Sequence, residues 1–172
     1  MEKIHLKSRI LNPEENLALL RDCAVGRIGT VNGDGTANIT PVNYAFEPQT
    51  NSIYIHHSNK GGNLLDNLKR DNRVCFEIEQ AGDVVNTEPE KHICNADQVY
   101  RSVICYGRME TAGSDEKVLG LRLLGSKFTG KPVASTGELE QHKLDKLVVL
   151  VFRLESVSGK CREPLTNVKL KD

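Results

Sequence analysis

The sequence has no tryptophan, few aromatic residues and no excess of charge of either sign. Its 172 residues include four tyrosines and four phenylalanines, and 23 lysine and arginine residues balance 23 aspartate and glutamate residues. A general nucleic-acid-binding protein needs a basic excess to displace counterions from phosphates, so zero net charge argues against that class. No apolar run approaches the roughly 20 residues that span a bilayer. We therefore expect neither a nucleic-acid partner nor a membrane span.

Signals for secretion, for a structural metal and for a dinucleotide fold are also missing. The N-terminal segment MEKIHLKSRI lacks the apolar core of a signal peptide. Five cysteines occur without a CxxC pair: Cys23, Cys75, Cys94, Cys105 and Cys161. We expect a cytoplasmic protein with reduced thiols. His92 and Cys94 have the spacing of half a zinc site, but no second pair matches, so we predict no metal. Neither GxGxxG nor βαβ alternation occurs, which disfavours a Rossmann domain.

The sequence does contain short alternating segments separated by turn residues. Val25–Val31 alternates and is followed by NGDG at 32–35, a strong hairpin signal because glycine accepts positive φ at no cost. The returning strand contains Pro41, which lacks an N–H and therefore predicts a sheet edge or a bulge. Gly107 indicates another bulge. Further strands are predicted at 52–57, 73–79, 100–111 and 147–157, and helices after Asn12, at 63–70 and from Ser114.

Two segments have no clear period. Residues 81–97 predict a long loop, and residues 138–146 predict a charged, marginal helix. The total is about six strands in hairpin-like succession with three or four short helices. The sequence therefore predicts a single domain over residues 1–172, mainly β with short helices, in which a six-stranded antiparallel barrel has helices over its ends and edges.

The strongest ligand signal lies where the strand ending in His56, His57 and Ser58 gives way to a glycine-rich bend. A Gly61-Gly62 pair at a helix start presents unpaired backbone N–H groups, for which phosphate is a natural guest. The two histidines point to opposite faces of a strand, so they cannot share one metal, and they are equally well explained as ordinary strand residues.

Side chains for catalysis do not stand out in the sequence. There is no GxSxG, and the cysteines in alternating strands are most simply core residues. A phosphate site without acid–base machinery favours a cofactor that brings its own reactivity.

Several short motifs, none specific alone, occur in a characteristic order. They are VGRIGT (25–30), DG (34–35), PVNY (41–44), IYIHHS (53–58) with Gly62 and Leu68, NRVCF (72–76), YRSV (100–103) with Gly107, and SGK (158–160). In this order, from about Arg9 to Lys160, the chain resembles the FMN-binding split-barrel family related to pyridoxamine 5'-phosphate oxidase. Its nearest likeness is to the nitroimidazole-resistance branch of that family.

The resemblance implies a six-stranded antiparallel split β-barrel that forms a homodimer, with FMN in clefts between the subunits. It implies that Pro41, Val42 and Asn43 line the flavin ring. The phosphate and ribityl chain would be held by His57, Ser58, Gly61, Gly62, Asn63 and Leu64, and the site completed by Arg101 and Ser102, with Lys160 as a further contributor.

One position departs from the pattern of the family. Relatives carry a lysine near the position of Leu64, where it would pair with the phosphate, and here Lys60 is the nearest cation. Either Lys60 substitutes for that lysine or the backbone N–H groups bind the phosphate alone. Haem or a deazaflavin, which relatives with this barrel also accept, remains an alternative to FMN.

Two functions from different classes are compatible with these residues. The first is an FMN-dependent oxidoreductase that reduces nitro compounds or another small oxidised substrate, with NAD(P)H as a candidate electron donor. The second is a protein that stores or senses a flavin, haem or another tetrapyrrole without turnover. Both functions would use the same fold, so fold alone does not separate them.

Overall fold

The computed structural model describes residues 9–85, 97–133 and 144–162, and these contain seven strands and three helices. In chain order the elements are α1 (Pro13–Asp22), β1 (Val25–Val31), β2 (Ala37–Asn43), β3 (Ala45–Glu47), β4 (Ser52–Ser58), α2 (Asn63–Arg70), β5 (Arg73–Val85), β6 (Asp97–Thr111), α3 (Ser114–Thr129) and β7 (Leu147–Arg162). The predicted mainly-β class with short helices is confirmed.

All seven strands form one antiparallel sheet in the order β2-β1-β5-β6-β7-β4-β3. The two edge strands, β2 and β3, are separated in the chain by a single residue, Tyr44. The sheet must therefore curl until its edges approach each other, and β2 does contact β4. This is an open, split barrel. It has seven strands rather than six because the returning strand breaks at Tyr44 into two.

The β1–β2 hairpin forms where the sequence predicts it. Val31 pairs with Ala37, the Asn32 N–H donates to the Thr36 carbonyl at 2.8 Å, and Gly35 has a φ of +86°. The Thr36 hydroxyl and N–H both donate to the Asp34 carboxylate, and these hydrogen bonds lower the pKa of Asp34. Pro41 lies in β2, which is an edge strand, as predicted.

Helix α1 begins with a capping box, which the spacing of Asn12 and Glu15 in the sequence predicts. The Asn12 side chain accepts from the Glu15 N–H at 3.0 Å, and the Glu15 carboxylate accepts from the Asn12 N–H at 2.8 Å. Its Leu19 and Leu20 are buried in the main core. The helix therefore packs against the barrel through an apolar face.

The interior of the barrel is the main hydrophobic core, and α3 covers part of the outside. Phe76, Phe152 and Leu150 belong to the interior cluster, in which Phe76 and Phe152 pack with ring centroids 5.9 Å apart. On the outside, Tyr54, Val149 and Val151 form a second cluster, against which three leucines of α3 pack: Leu119, Leu121 and Leu123. Burial on both faces makes β7 the most apolar strand, as its sequence indicates.

The predicted loop at 81–97 is partly wrong. Residues 81–85 continue β5 and pair with β6, with a register shift between Ala81 and Val84. Pairing with β6 overrides the weak local strand signal of this polar segment. Asp97, the last residue of that segment, begins β6. Residues 86–96, with His92 and Cys94, lie outside the described residues, as does most of the predicted helix at 138–146.

Within the described part of the chain, four cysteines are free thiols: Cys23, Cys75, Cys105 and Cys161. No helix in that part is both long and apolar enough to traverse a bilayer.

Gly107 lies at the register shift between β6 and β7, where the sequence predicts a bulge. A Cβ added there would lie 1.9 Å from the Arg153 carbonyl oxygen, so the backbones approach too closely for any side chain. We expect Gly107→Ala to destabilise the fold by about 1–3 kcal/mol or more, measured by urea unfolding.

Gly29→Ala is the matched control, because a Cβ at this strand glycine makes ordinary contacts of 3.5–3.6 Å. It should change the free energy of unfolding by less than about 0.5 kcal/mol. Equal stability of the two variants would show that the tight approach at Gly107 is not a constraint on the fold.

Candidate functional site

The barrel wall opens between β2 and β4. Ala45 pairs with Tyr54, and continuing that register beyond Tyr44 would place Asn43 opposite His56 and Pro41 opposite Ser58. Instead β2 leaves β4 and pairs with β1. Residues 41–43 and 56–58 therefore border an opening that no described strand fills, and we call this opening the split.

The split brings together five of the residues that the sequence predicts to bind the cofactor. Pro41, Asn43 and Ser58 are exposed, whereas Val42 and His57 are half-buried. Strand edges that are not paired with another strand leave backbone N–H and C=O groups for other partners. A flat ligand with polar groups along its rim can hydrogen-bond to such edges.

A glycine bend follows the split directly. We define the bend as Lys60, Gly61, Gly62 and Asn63. Gly61 and Gly62 have φ values of +86° and +122°, and a Cβ added to either would meet nothing within 4 Å. The backbone can adopt this shape because glycine tolerates positive φ, and the space in front of it stays open.

The donors at the bend suit an anion. Helix α2 starts at Asn63 with no side-chain cap, in contrast to the capped α1. Its first-turn N–H groups have no intrahelical acceptors and carry the positive end of the helix dipole. Lys60 is exposed, and its ammonium forms no ion pair with the described residues. The bend thus fits a phosphate in both shape and charge.

The side chain of Leu64 lies in the core rather than in front of the bend. It is only 3% exposed and belongs to the main core. It cannot reach a phosphate in front of the bend, so only its backbone N–H is available there. The Leu64 side chain packs α2 onto the barrel and does not supply the cation that the family resemblance leads us to expect near this position.

Asn67 fixes α2 against the β1–β2 hairpin. Its side-chain amide donates to the Thr30 hydroxyl at 2.9 Å and to the Asn32 side-chain oxygen at 3.0 Å, and it is 3% exposed. Arg70 bonds to the Asn67 side-chain oxygen and to the Val31 carbonyl. Asn67 is not among the residues that the sequence motifs predict to belong to the site. The available signal was an asparagine, a poor residue for a helix interior, on the buried stripe of a short helix.

Three predicted residues lie far from the bend within one chain. Ser102 pairs with Lys160 near the end of β7, whereas Ser58 pairs with Leu147 at its start. Lys160 follows Leu147 by 13 residues, which in a strand corresponds to up to roughly 40 Å. Arg101, adjacent to Ser102 on β6, points to the opposite face of the sheet. The predicted site residues therefore form two separate groups.

A cleft of about 510 Å³ lies on the other side of the bend, between α2 and the adjoining ends of β6 and β7. We call it the cleft. It is lined by Asn59, Gly61, Leu65, Leu68, Lys69, Asn72, Met109, Glu110, Thr111, Val148 and Leu150. Apolar side chains from α2 and from the two strands form its walls, and polar residues stand among them.

One face of the sheet is both exposed and apolar. Strand registers align Ile39, Gly29, Cys75 and Tyr106 in a row across β2, β1, β5 and β6. We call these four residues the outer row. Ile39 is 61% and Tyr106 40% exposed, and the flanking Val31 is 60% exposed. Such a patch on a sheet face is typical of a surface that meets another protein.

An ion cluster borders the outer row. Arg27 bonds to the carboxylates of Glu77 and Glu79, each at 3.0 Å. Burial raises the pKa of Glu77, and the hydrogen bond from Arg27 opposes that rise. Because Arg27 pairs in register with Pro41, this cluster adjoins the β2 side of the split.

Lys127 contacts Tyr44, the residue at which the chain crosses from one edge of the sheet to the other. Its ammonium lies 4.0 Å from the centroid of the Tyr44 ring and donates to the Cys23 carbonyl at 2.5 Å. Phe76 packs edge-on against the same ring, with centroids 5.1 Å apart. Burial lowers the pKa of Lys127 and raises the pKa values of Tyr44 and Cys23. Nothing in the sequence distinguishes Lys127 from an ordinary helix-end cation.

No metal site is evident within residues 9–85, 97–133 and 144–162, because no three histidine, cysteine, aspartate or glutamate side chains there converge on a common point.

Comparison with known proteins identifies relatives of this fold. A family model described as pyridoxamine 5'-phosphate oxidase matches residues 12–161. No curated protein matches the chain in sequence.

Three solved structures illustrate the structural likeness. A candidate 5-nitroimidazole antibiotic resistance protein from Bacteroides thetaiotaomicron is 16% identical, with 94% of this chain and 96% of that chain covered and a TM-score of 0.72. The flavocytochrome Anf3 from Azotobacter vinelandii is 18% identical, with coverages of 99% and 75% and a TM-score of 0.74. The FAD and heme binding protein from Mycobacterium smegmatis is 20% identical, with coverages of 91% and 74% and a TM-score of 0.72. At these identities the likeness shows a shared fold.

Proposed function

The chain belongs to the pyridoxamine 5'-phosphate oxidase family, as its motifs predict, and from this we propose that it binds a flavin in the split with the phosphate at the bend. The observation that carries the proposal is the continuity of these two features. The split has two open strand edges that suit a flat polar ring. Ser58, at the end of one of these edges, is followed two residues later by Lys60 of the bend, and the bend ends at the uncapped N-terminus of α2.

The residues fit the parts of FMN, the smallest flavin with a phosphate. Backbone groups of Pro41, Val42 and Asn43 would face the ring across the split from His57 and Ser58. The N–H groups at the start of α2 and the Lys60 ammonium would meet the phosphate charge. The names of the flavocytochrome and of the FAD and heme binding protein support a flavin-type occupant.

We propose an oxidoreductase as the activity. A bound flavin supplies electron or hydride transfer, and this chain's residues bind it, orient it and expose one side of the split to a small substrate. The likeness to a candidate nitroimidazole resistance protein favours nitro compounds as acceptors. NAD(P)H is the electron donor that we propose with them. The described thiols suit a reducing compartment, so we place the protein in the cytoplasm.

Binding without turnover is the second candidate. It is favoured by the likeness to an FAD and heme binding protein and by the absence of a paired acid and base at the split among the described residues. A haem in place of the flavin would give a Soret band.

The absorbance spectrum of the purified protein tests the proposed activity. We expect a yellow protein whose flavin band bleaches anaerobically with NADPH or NADH and recovers when a nitroimidazole is added. A flavin band that responds to neither reagent would indicate the binding protein instead. A colourless protein that does not take up added flavin would contradict both candidates.

Lys60 provides the sharpest test of the phosphate position. A charge-assisted contact to phosphate contributes roughly 1.5–3 kcal/mol, so Lys60→Ala should weaken FMN binding by about tenfold or more. Riboflavin, which has no phosphate, should bind both proteins alike. Fluorescence titration of the apoprotein measures both affinities.

Lys69→Ala is the matched control, because Lys69 lies in the last turn of the same helix and pairs with Asp66 at 3.0 Å. It should leave FMN binding unchanged. If Lys60→Ala weakens FMN and riboflavin equally, Lys60 has a structural role and does not bind the phosphate.

A homodimer is part of the proposal. Arg101, Ser102 and Lys160 lie toward the opposite end of β7 from the residues that pair with β4 beside the bend, which favours a site in which two copies each contribute one of the two groups. The exposed outer row offers an apolar face for a second copy to cover, and two-fold dimers are the commonest symmetric assemblies.

Sedimentation velocity tests the dimer. We expect a dimer at micromolar concentration, and we expect Ile39→Asp to dissociate it and reduce flavin binding, because the substitution would bury a carboxylate without a partner in an apolar interface. Val118→Asp, at an exposed position of α3, should remain dimeric. A wild-type monomer that retains flavin would contradict a shared site.

A further inference from the structure

Lys127 is a half-buried cation without an anionic partner in the described part of the chain. Its ammonium donates to the Cys23 carbonyl at 2.5 Å and lies 4.0 Å from the centroid of the Tyr44 ring, and neither group carries a full negative charge. No ion pair among the described residues includes Lys127. Burial of a charge costs free energy unless an opposite charge compensates it. The surroundings of Lys127 therefore suit an anion that comes from outside the chain.

The contacts of Lys127 place its ammonium beside the closed end of the split, where the pairing of β3 with β4 begins. Tyr44 directly follows Asn43, the last residue on the β2 side of the split. The Asn43 amide donates to the Ala24 carbonyl at 3.2 Å, and Lys127 donates to the carbonyl one residue earlier, that of Cys23. Lys127 and Asn43 thus hold two successive carbonyl groups between α1 and β1.

The other end of the split leads to the bend, so a flavin with its phosphate at the bend extends its ring toward the closed end. Residues 41–43 span about 10 Å at the rise of a strand, which is comparable with the length of a three-ring system. The Asn43 amide and the Lys127 ammonium make the closed end polar, and this suits the pyrimidine end of a flavin ring better than its dimethylbenzene end.

Other charged groups near the closed end do not cancel the charge of Lys127. Burial lowers the pKa of Lys127, and the nearby Asp22 opposes that change without reversing it. Arg27 already binds the carboxylates of Glu77 and Glu79, each at 3.0 Å, so its charge is matched within the chain. Lys127 is thus better suited than Arg27 to meet a new negative charge at this end of the split.

We propose that Lys127 raises the reduction potential of the bound flavin by stabilising the charge of its reduced form. This inference rests on the proposed function, because it takes the flavin phosphate at the bend as its starting point. Two electrons and one proton, the equivalent of the hydride that NAD(P)H loses as it becomes NAD(P)⁺, leave one negative charge on a flavin ring. Lys127 attracts this charge through space and has less effect on the neutral oxidised ring. A fixed cation that favours one redox state in this way shifts the potential toward that state.

The reduction potential of the full-length protein loaded with FMN, measured in equilibrium with a reference dye, tests the proposal. Lys127→Gln should lower the affinity for reduced FMN relative to oxidised FMN by about tenfold, which for a two-electron couple is a potential about 30 mV more negative. Lys127→Arg keeps the charge and should retain the wild-type potential. A wild-type potential in Lys127→Gln would overturn the inference.

Lys131→Gln is the matched control, because it removes the same charge from an exposed position just beyond α3. It should leave the reduction potential unchanged, since water and salt screen an exposed charge more strongly than a half-buried one. Equal shifts in Lys127→Gln and Lys131→Gln would show that net charge, and not the position of Lys127, determines the potential, and would also overturn the inference.

A measurement on the wild-type chain does not depend on the stability of a variant. In protein labelled with ¹³C at the lysine ε-carbons, reduction of the bound flavin with dithionite should raise the pKa of Lys127, because a nearby negative charge favours the ammonium. The signal of Lys127 is the one that is missing from Lys127→Arg. Lys131 should titrate alike in both redox states. A Lys127 titration that does not respond to reduction would overturn the inference.

The outcomes separate this inference from the proposed function. If the wild-type chain binds no flavin, the proposed function fails and the inference fails with it. If flavin binds and Lys127→Gln retains the wild-type potential, only the further inference fails. If Lys127→Gln loses flavin together with a fall in melting temperature, the lysine titration of the wild-type chain decides between the inference and a purely structural role.

Discussion

The architecture depends on the crossing of the chain from one sheet edge to the other at a single residue. Tyr44 joins β2, at one end of the strand order, to β3, at the other end, and this connection forces the sheet to curl. The Tyr44 ring is held from two sides, by the Lys127 ammonium and by Phe76. A cation over an aromatic ring contributes about 0.5–2 kcal/mol, more when it is desolvated. The split exists because β2 turns away from β4 at this residue.

The second constraint is the placement of the bend relative to the split. Glycine in the left-handed region lets the chain reverse between β4 and α2, but two glycines alone would leave the helix free to tilt. The buried amide of Asn67 removes that freedom by tying α2 to Thr30 and Asn32 of the hairpin. A preorganised helix end loses less entropy on binding an anion than a mobile one.

Local patterns in the sequence predicted local structure well. The hairpin at 32–35, the capping box at Asn12, the bend and the bulge at Gly107 each depend on a few adjacent residues whose backbone preferences dominate. The crossing at Tyr44 was not predictable, because PVNYAF alternates like one continuous strand and closure of the whole sheet decides where it breaks.

The features of the candidate site also differ in how far the sequence predicts them. The glycine bend at a helix start was predicted from adjacent residues, whereas the split, which depends on the crossing at Tyr44, was not. The roles of Asn67 and Lys127 were not predicted, because they depend on tertiary partners that are distant in sequence, Thr30 and Tyr44. The separation of Lys160 from the bend follows from the length of β7, which no single residue type in the sequence predicts.

Pro41 affects the tendency of the protein to aggregate during folding and in the absence of a ligand. An unpaired strand edge is a template onto which another extended chain can add, and such additions lead to aggregates. A proline in a paired strand turns its nitrogen away from the neighbouring strand, here β1, so the outward edge of β2 lacks one donor in its middle. A flat small molecule needs only some of the groups along that edge, whereas an added strand needs a regular series of them. The same residue therefore keeps the opening accessible to a ligand and closed to another polypeptide.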